Sequence, residues 1–204
     1  MNGMTKTQAM VGILVFLLVA GICGIAAATE GISARKQLEQ SIEQILDVLR
    51  NPELRSLDRR EDRREKLRGI ARQRFDYRRM SQLSLGRYWR ERSDMEKNEF
   101  TALFGALLED TYMSRIEAYT DEKVVFLNER IKKKKAQINT KIITRDVEIP
   151  INYRMYETSD DTWMVYDMVI EGVSMIGNYR SQFSQILERQ SFAELVEKLK
   201  EKKE

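Results

Sequence analysis

The sequence predicts an α+β fold in which helices gather against one curved antiparallel sheet of about four to five strands. Apolar residues recur at helical spacing through residues 31–119, and from about residue 124 they alternate with polar ones. Helical spacing returns after Gly172. Helices followed by an antiparallel meander and two closing helices form the pattern of a single α+β domain.

Four helical segments precede the predicted sheet. Residues 31–50 carry apolar side chains at helical spacing and end at Pro52, which stops a helix. Residues 54–75 are dominated by arginine and acidic residues, and residues 81–92 lead into the most regular helix, residues 97–119. That helix has one wide apolar stripe, which predicts that it packs against a core.

Alternating patterns predict four strands, at residues 124–130, 136–144, 147–155 and 163–171. The strand that begins at Trp163 is apolar on both faces, so both of its faces must be covered. A helix is predicted at residues 176–189. Another begins at Ser191, where Glu194 completes a capping box three residues later.

The N-terminal 28 residues differ from the rest of the chain. Residues 11–28 are almost wholly apolar and end in three alanines, which predicts either a signal peptide cleaved before Thr29 or a retained membrane anchor. Both alternatives place the remaining domain, residues 29–204, outside the cytoplasm. The one cysteine, Cys23, lies inside this apolar segment, so a cleaved chain would contain no disulfide.

Composition narrows the chemistry that this chain can perform. It contains no histidine, which removes the commonest general base and the commonest metal ligand. Zinc sites, Ser-His triads and Cys-His dyads are therefore excluded for the mature chain. The formal net charge of +3 is close to balanced and says little about partners.

Two basic segments have alternative interpretations. Residues 50–79 are rich in arginine, which could bind nucleic acid, anionic headgroups or an acidic partner. The interleaved acidic residues favour a solvated helix with opposite charges paired four residues apart. Residues 132–135 are four consecutive lysines, typical of a solvated turn or a protected sheet edge, with docking as the alternative.

A carboxylate lies in the apolar strand that begins at Trp163. Simple alternation puts Asp167 on the same face as Val165 and Val169, where it needs a partner such as Arg180 or a backbone donor. We interpret it as part of a structural pair rather than as a catalytic acid.

Three blocks of sequence resemble the MlaC family, also known as the toluene-tolerance family. They lie at residues 75–89, 100–119 and 153–183, within a similarity that spans roughly residues 33 to 200. The third block is the most specific, because its aromatic, acidic, glycine and arginine positions follow one order: Trp163, Tyr166, Asp167, Gly172, Tyr179 and Arg180. The family's usual glutamine before the second block is absent, and residues 96–99 read Glu-Lys-Asn-Glu.

The resemblance implies a periplasmic protein whose sheet and helices enclose a deep apolar cavity for the acyl tails of a glycerophospholipid, with no cofactor. It also implies two partners, an outer-membrane lipoprotein–porin complex and an inner-membrane ABC transporter complex with an MCE-domain protein. Lipid moved between them maintains outer-membrane asymmetry. On this basis we expect tail contacts from Phe104, Leu107, Leu108, Ile149, Ile151, Tyr153, Val165, Val169, Val173 and Ile176.

Three alternatives remain open at this point. A branch of the family is associated with hopanoids, so the cargo could be another apolar lipid. Pattern alone also fits a solid core, as in a periplasmic protein-interaction module, and an enzyme that uses a buried carboxylate is the third option. If the chain is a carrier, we expect the helices at residues 97–119 and 176–189 to form a movable wall.

Overall fold

Helix α1 (Ala34–Arg50) is the first element of the computed structural model, which describes residues 32–118 and 122–202. Residues 32–204 form one compact unit. The predicted signal peptide or anchor at residues 11–28 lies outside the described residues. None of the helices in the described part is both long and apolar enough to cross a bilayer.

The second helix starts later than its sequence predicts. Asn51 ends α1, and two short 3-10 helices, Pro52–Leu54 and Leu57–Arg59, come before α2 (Arg60–Arg74). Pro52 stops α1 because it has no backbone N–H to continue the helix, and its fixed φ suits the first position of the 3-10 helix. Gly69 lies inside α2 without interrupting it, although glycine lowers the helix propensity of a segment.

Helices α3 (Tyr77–Leu85) and α4 (Asp94–Glu117) are joined by a 3-10 helix, Gly86–Glu91. Asp76 caps α3 by accepting a hydrogen bond from the Arg79 backbone N–H. Helix α4 begins with a capping box, in which Ser93 and Glu96 each accept a hydrogen bond from the other's backbone. The most regular predicted helix is therefore confirmed.

The sheet is an antiparallel meander with the strand order β1-β2-β3-β4-β5. Its strands are β1 (Lys123–Lys132), β2 (Lys135–Ile143), β3 (Glu148–Glu157), β4 (Trp163–Ile170) and β5 (Val173–Ser174). The sheet of four to five strands is confirmed. Strand β5 was not predicted, because two residues are too few to show alternation.

Two helices close the described chain. Helix α5 (Met175–Leu187) follows β5 directly, with Ser174 accepting a hydrogen bond from the Gly177 backbone N–H. Helix α6 (Phe192–Glu201) begins with the predicted capping box of Ser191 and Glu194, which is confirmed.

The buried residues form two clusters. The helical cluster draws on α3, α4, α5 and α6 and includes Phe100, Phe104, Phe183 and Leu195. The sheet cluster packs Ala34 and Leu38 of α1 against β2, β3 and β4. Phe75 and Met168 contact both clusters and connect them.

The segment between α2 and α3 is attached to the edge of β4. Phe75 forms a parallel bridge with Val165, and the Asp76 backbone N–H donates to the Val165 carbonyl at 3.0 Å. The Tyr156 hydroxyl donates to the Asp76 carboxylate, and burial together with this bond raises the pKa of Tyr156 to about 12. These contacts fix α3 beside the sheet.

Candidate functional site

The two faces of the sheet differ in chemistry. Residues paired across antiparallel strands share a face. One face carries the paired rows Ile131, Ala136, Met155 and Val165, then Glu129, Ile138, Tyr153 and Met168, then Phe126, Thr140, Ile151 and Ile170, and last Val124, Ile142 and Ile149, and Glu129 is the one charged residue in these rows. We call this the apolar face. The other face carries Gln137, Asn139, Lys141, Asn152 and Arg154 on the same strands.

Helix α1 covers only part of the apolar face. Ala136, Ile138, Met155 and Val165 are buried in the sheet cluster beneath Ala34 and Leu38. Farther along the strands, Val124, Phe126, Ile142, Ile149 and Ile170 are only half-buried. The apolar face therefore extends past the side chains that cover it.

The apolar side of α1 also continues past its contact with the sheet. Ile42, Ile45 and Leu49 follow Leu38 at intervals of three or four residues, which places them on one side of the helix. Ile42 still packs against the sheet cluster, and all three are half-buried. Two apolar surfaces, one on α1 and one on the sheet, are thus left with incomplete cover.

Tyr153 lies in the middle of the apolar face. Burial raises its pKa to about 12, although the residue keeps part of its surface exposed. Within the described residues its hydroxyl has no hydrogen-bond partner, whereas the neighbouring Thr140 hydroxyl donates to the Ile151 carbonyl at 2.8 Å. Tyr153 therefore offers the one unpaired hydroxyl among the paired rows of this face.

The α1–α2 hairpin is attached to the helical cluster mainly by polar contacts. Leu67 is the one buried residue of α2. Arg63 and Arg64 donate to Glu117 of α4 at 2.8 and 2.7 Å, and Arg72 donates to Glu109 through two nitrogens at 3.0 Å each. The favoured sequence interpretation, pairing within one helix, was thus incomplete, because the main acidic partners lie on α4.

Glu117 is the centre of this polar attachment. Burial alone would raise its pKa, but hydrogen bonds and charge from Arg64 and Arg63 outweigh burial and lower the pKa to about 2. Because its side chain is only 9% exposed, the ion pairs are poorly screened by solvent. The carboxylate is therefore a substantial link between α2 and α4.

A second polar network joins the hairpin to β4. The Arg74 guanidinium donates to the Ser41 hydroxyl, the Gln37 side-chain carbonyl and the Trp163 backbone carbonyl. Because all three acceptors are neutral, burial lowers the pKa of Arg74 without an opposing carboxylate.

Several of the predicted tail contacts lie in the helical cluster. Phe104, Leu108 and Ile176 are buried there, and Leu107 packs against them. The Phe104 ring is 5.4 Å from the Phe183 ring and 5.1 Å from the Tyr179 ring. In this conformation the protein's own side chains surround these residues, so their contact with a lipid stays a prediction.

The remaining predicted contacts lie on the sheet. Ile149, Ile151, Tyr153 and Val165 belong to the apolar face, with Val165 fully covered by the sheet cluster. Val169 pairs with Asn152 and so belongs to the opposite face, and Val173 is 61% exposed. The structure brings together Ile149, Ile151 and Tyr153, and their role too remains a prediction.

Asp167 has partners that alternation could not predict. The register shifts by one residue between Val165 and Asp167, so that they pair with the adjacent residues Met155 and Arg154 and lie on opposite faces. Asp167 accepts hydrogen bonds from Arg154, the Ser174 hydroxyl and the Ile176 backbone N–H. The expected backbone donor is present, whereas Arg154 stands in place of Arg180.

Two adjoining clefts lie beside α3, and sequence reasoning did not place residues in either. The larger has a volume of about 830 Å³ and the smaller about 370 Å³. None of the ten predicted tail contacts lines them. Their lining is mostly basic, and residues 132–135 were the visible signal. Across the described ranges, no group of three acidic, histidine or cysteine side chains is placed to hold a metal ion.

Comparisons with known proteins agree with this architecture. A solved structure, the phospholipid-binding protein from Ralstonia solanacearum in complex with a phospholipid, superposes with a TM-score of 0.74 at 21% identity, covering 84% of this chain and 97% of that one. It shares the fold.

Sequence comparison gives two further matches. The intermembrane phospholipid transport system binding protein MlaC of Haemophilus influenzae is 29% identical over 123 residues, which span 57% of each chain. The family profile described as MlaC protein matches residues 39–201, most of the chain. The chain therefore belongs to the MlaC family.

Proposed function

We propose that this protein carries a phospholipid whose acyl chains lie against the apolar face, between the sheet and α1. The observation that supports this most directly is the continuation of both apolar surfaces past the side chains that cover them. The Ralstonia protein, which shares the fold, binds a phospholipid, and the Haemophilus relative is named for phospholipid transport.

The energetics of lipid transfer require such a surface. Each buried methylene group contributes about 0.8 kcal/mol, so a chain of 14–16 carbons contributes roughly 11–13 kcal/mol. A free phospholipid therefore leaves a membrane too rarely to cross an aqueous space unaided. A carrier replaces one apolar environment by another.

The route we propose runs through the periplasm, between an outer-membrane lipoprotein–porin complex and an inner-membrane ABC transporter complex with an MCE-domain protein. Such transport would maintain outer-membrane lipid asymmetry. Residues 1–28 would direct the chain across the inner membrane, by cleavage before Thr29 or as an anchor. We propose a carrier rather than an enzyme, since the buried Asp167 is bound by three structural partners.

Lipid that copurifies with the protein tests this proposal. Residues 32–204 are purified, extracted with organic solvent and analysed by mass spectrometry. Phospholipid near one molecule per protein is the expected result. A copurifying hopanoid would support a carrier with a different cargo. Protein that copurifies with no lipid and takes none from vesicles would contradict the proposal.

A matched pair of variants locates the cargo. Ile149→Asp and Asn152→Asp each add one carboxylate to β3, but on opposite faces of the sheet. Because a charge is costly beside hydrocarbon, we expect Ile149→Asp to lower lipid occupancy at least tenfold, with little change for Asn152→Asp. Equal occupancy in the two variants would place the tails elsewhere.

A further inference from the structure

Basic side chains surround the two adjoining clefts beside α3. The clefts share Arg79 and Leu83, so they form one continuous surface. The larger is lined by the β1–β2 turn and the smaller by the 3-10 helix and α5. We call this surface the basic face, and its cations are Arg79, Arg87, Arg90, Lys132, Lys133, Lys134, Lys135 and Arg180.

Few cations of the basic face are paired with a carboxylate, although Glu91 and Glu188 act on Arg87 electrostatically. Glu157 is the one carboxylate in the lining of either cleft, and it lies 3.8 Å from Lys134. In the described part of the chain, Arg90, Lys133 and Arg180 form no ion pair with a carboxylate. The arginines of α2 differ, because Glu109 and Glu117 bind them.

The backbone holds one of these cations in an unfavourable conformation and leaves space for another. Lys133 has φ of 55° in the two-residue turn between Lys132 and Lys135, a position that glycine or asparagine adopts more easily. Gly86 has φ of 58°, and a β-carbon there would lie 3.1 Å from Arg180 Nε. The glycine therefore leaves the space in which the Arg180 guanidinium lies. A non-glycine residue at positive φ, as at Lys133, is a departure from local preference of the kind found where function requires it.

We propose that the basic face docks on the surface of an anionic phospholipid bilayer, with its cations against headgroup phosphates. Arginine and lysine are the side chains that bind phosphate. Leu83 and Tyr166 line the larger cleft together with these cations and are half-buried, and a tyrosine side chain such as that of Tyr166 favours the headgroup region of a bilayer. Cations spread over three chain segments suit a continuous field of headgroups better than a set of single carboxylates on a protein.

Docking rests on the proposed function only in that a carrier must come close to a bilayer. It can therefore fail while lipid still copurifies with the protein, and the two proposals are tested separately. The probes are vesicles of phosphatidylcholine alone and vesicles in which a third of the lipid is phosphatidylglycerol. Cosedimentation with the vesicles is measured at low and high salt. The protein used comprises residues 32–204, so the apolar segment at residues 11–28 cannot contribute to binding.

The variant Lys133→Gly/Lys134→Ser removes two cations from the turn while relieving the positive φ, so it should fold at least as well as the parent. Each basic residue near an anionic surface adds roughly fivefold to partitioning, so this variant should bind roughly 30-fold more weakly. Arg87→Gln/Arg180→Gln tests the other cleft in the same way. The control Arg55→Gln/Lys66→Gln removes two exposed cations that line neither cleft.

The expected result is salt-sensitive binding to the anionic vesicles, lost in both cleft variants and retained in the control. Binding that is equal on the two kinds of vesicle, or equally weakened in the control, would overturn the proposal. No binding to either kind would also overturn it, and would leave an acidic protein surface as the occupant to seek.

Discussion

Asp167 is a single buried side chain whose contacts stabilise three parts of the fold. Its carboxylate joins β3, β5 and the first turn of α5 through Arg154, Ser174 and Ile176. Asp167 also fixes the start of α5, because the Ile176 backbone N–H would otherwise be buried without a hydrogen-bond acceptor. Loss of the negative charge on Asp167 would therefore weaken three contacts at once.

We expect Asp167→Asn to lower the free energy of unfolding by about 2–3 kcal/mol. The substitution keeps the shape of the side chain, but it removes the ion pair and turns one acceptor into a donor that faces donors. Urea denaturation measures the effect, with Asp146→Asn as a control at an exposed turn. Wild-type stability for Asp167→Asn would show that these contacts contribute little.

Sequence patterns predicted that Asp167 is buried and paired and that a backbone donor could bind it, but they could not identify Arg154 as its charged partner. Alternation counts residues along one strand, and the register shift in β4 is a property of two strands together. The same limit applies to Gly86, where the approach of Arg180 depends on packing between distant segments. The environment of a single residue was predictable only when it depended on residues close to it in the sequence.

Helix α2 is held by charge rather than by an apolar stripe, which makes it unusual among the helices of this fold. Its arginines reach Glu109 and Glu117 on α4, and burial together with Glu109 raises the pKa of Tyr77 beside them. The elements themselves were predictable from periodicity. The contacts between α2 and α4 were not, because they join residues more than thirty positions apart.

We expect the link through Glu117 to weaken as pH falls. The folded pKa is about 2, below the ordinary value of 4.5, so the stabilisation is complete above pH 4.5 and is lost as pH falls toward 2. Glu117→Gln should lower the free energy of unfolding by about 2–3 kcal/mol at pH 7.

Denaturation of the wild type and Glu117→Gln at several pH values gives the measurement. The difference between them should shrink steadily below pH 4.5. Glu43→Gln, at an exposed position on α1, serves as the control and should match the wild type throughout. A difference between the wild type and Glu117→Gln that does not depend on pH would mean that packing, not charge, holds α2.

At the scale of the whole molecule, the fold has a rigid side held by interlocking aromatic rings and another side held mainly by polar contacts. On the rigid side, the rings of Phe100, Phe104 and Phe183 lie 5.4–5.7 Å apart and join α4 to α5. On the other side, the α1–α2 hairpin contributes few buried apolar residues and is held by ion pairs and the Arg74 network. Sequence alone favoured α4 and α5 as the movable wall, because stripe width does not show which stripes interlock.

Loading therefore should move the α1–α2 hairpin more than α4 and α5. Separating α4 from α5 would expose several phenylalanines at about 1.5–3 kcal/mol each. Moving only the part of the hairpin that lies beyond Leu38 leaves the sheet cluster covered and mainly exchanges polar contacts for water. Hydrogen exchange of the loaded and lipid-free protein distinguishes the two. We expect lipid to slow exchange in residues 42–66 and to leave the central turns of α4 unchanged. The Asn152→Asp variant, which should load normally, provides the control. Slower exchange confined to α4 and α5 would instead support the sequence-based expectation that these two helices form the movable wall.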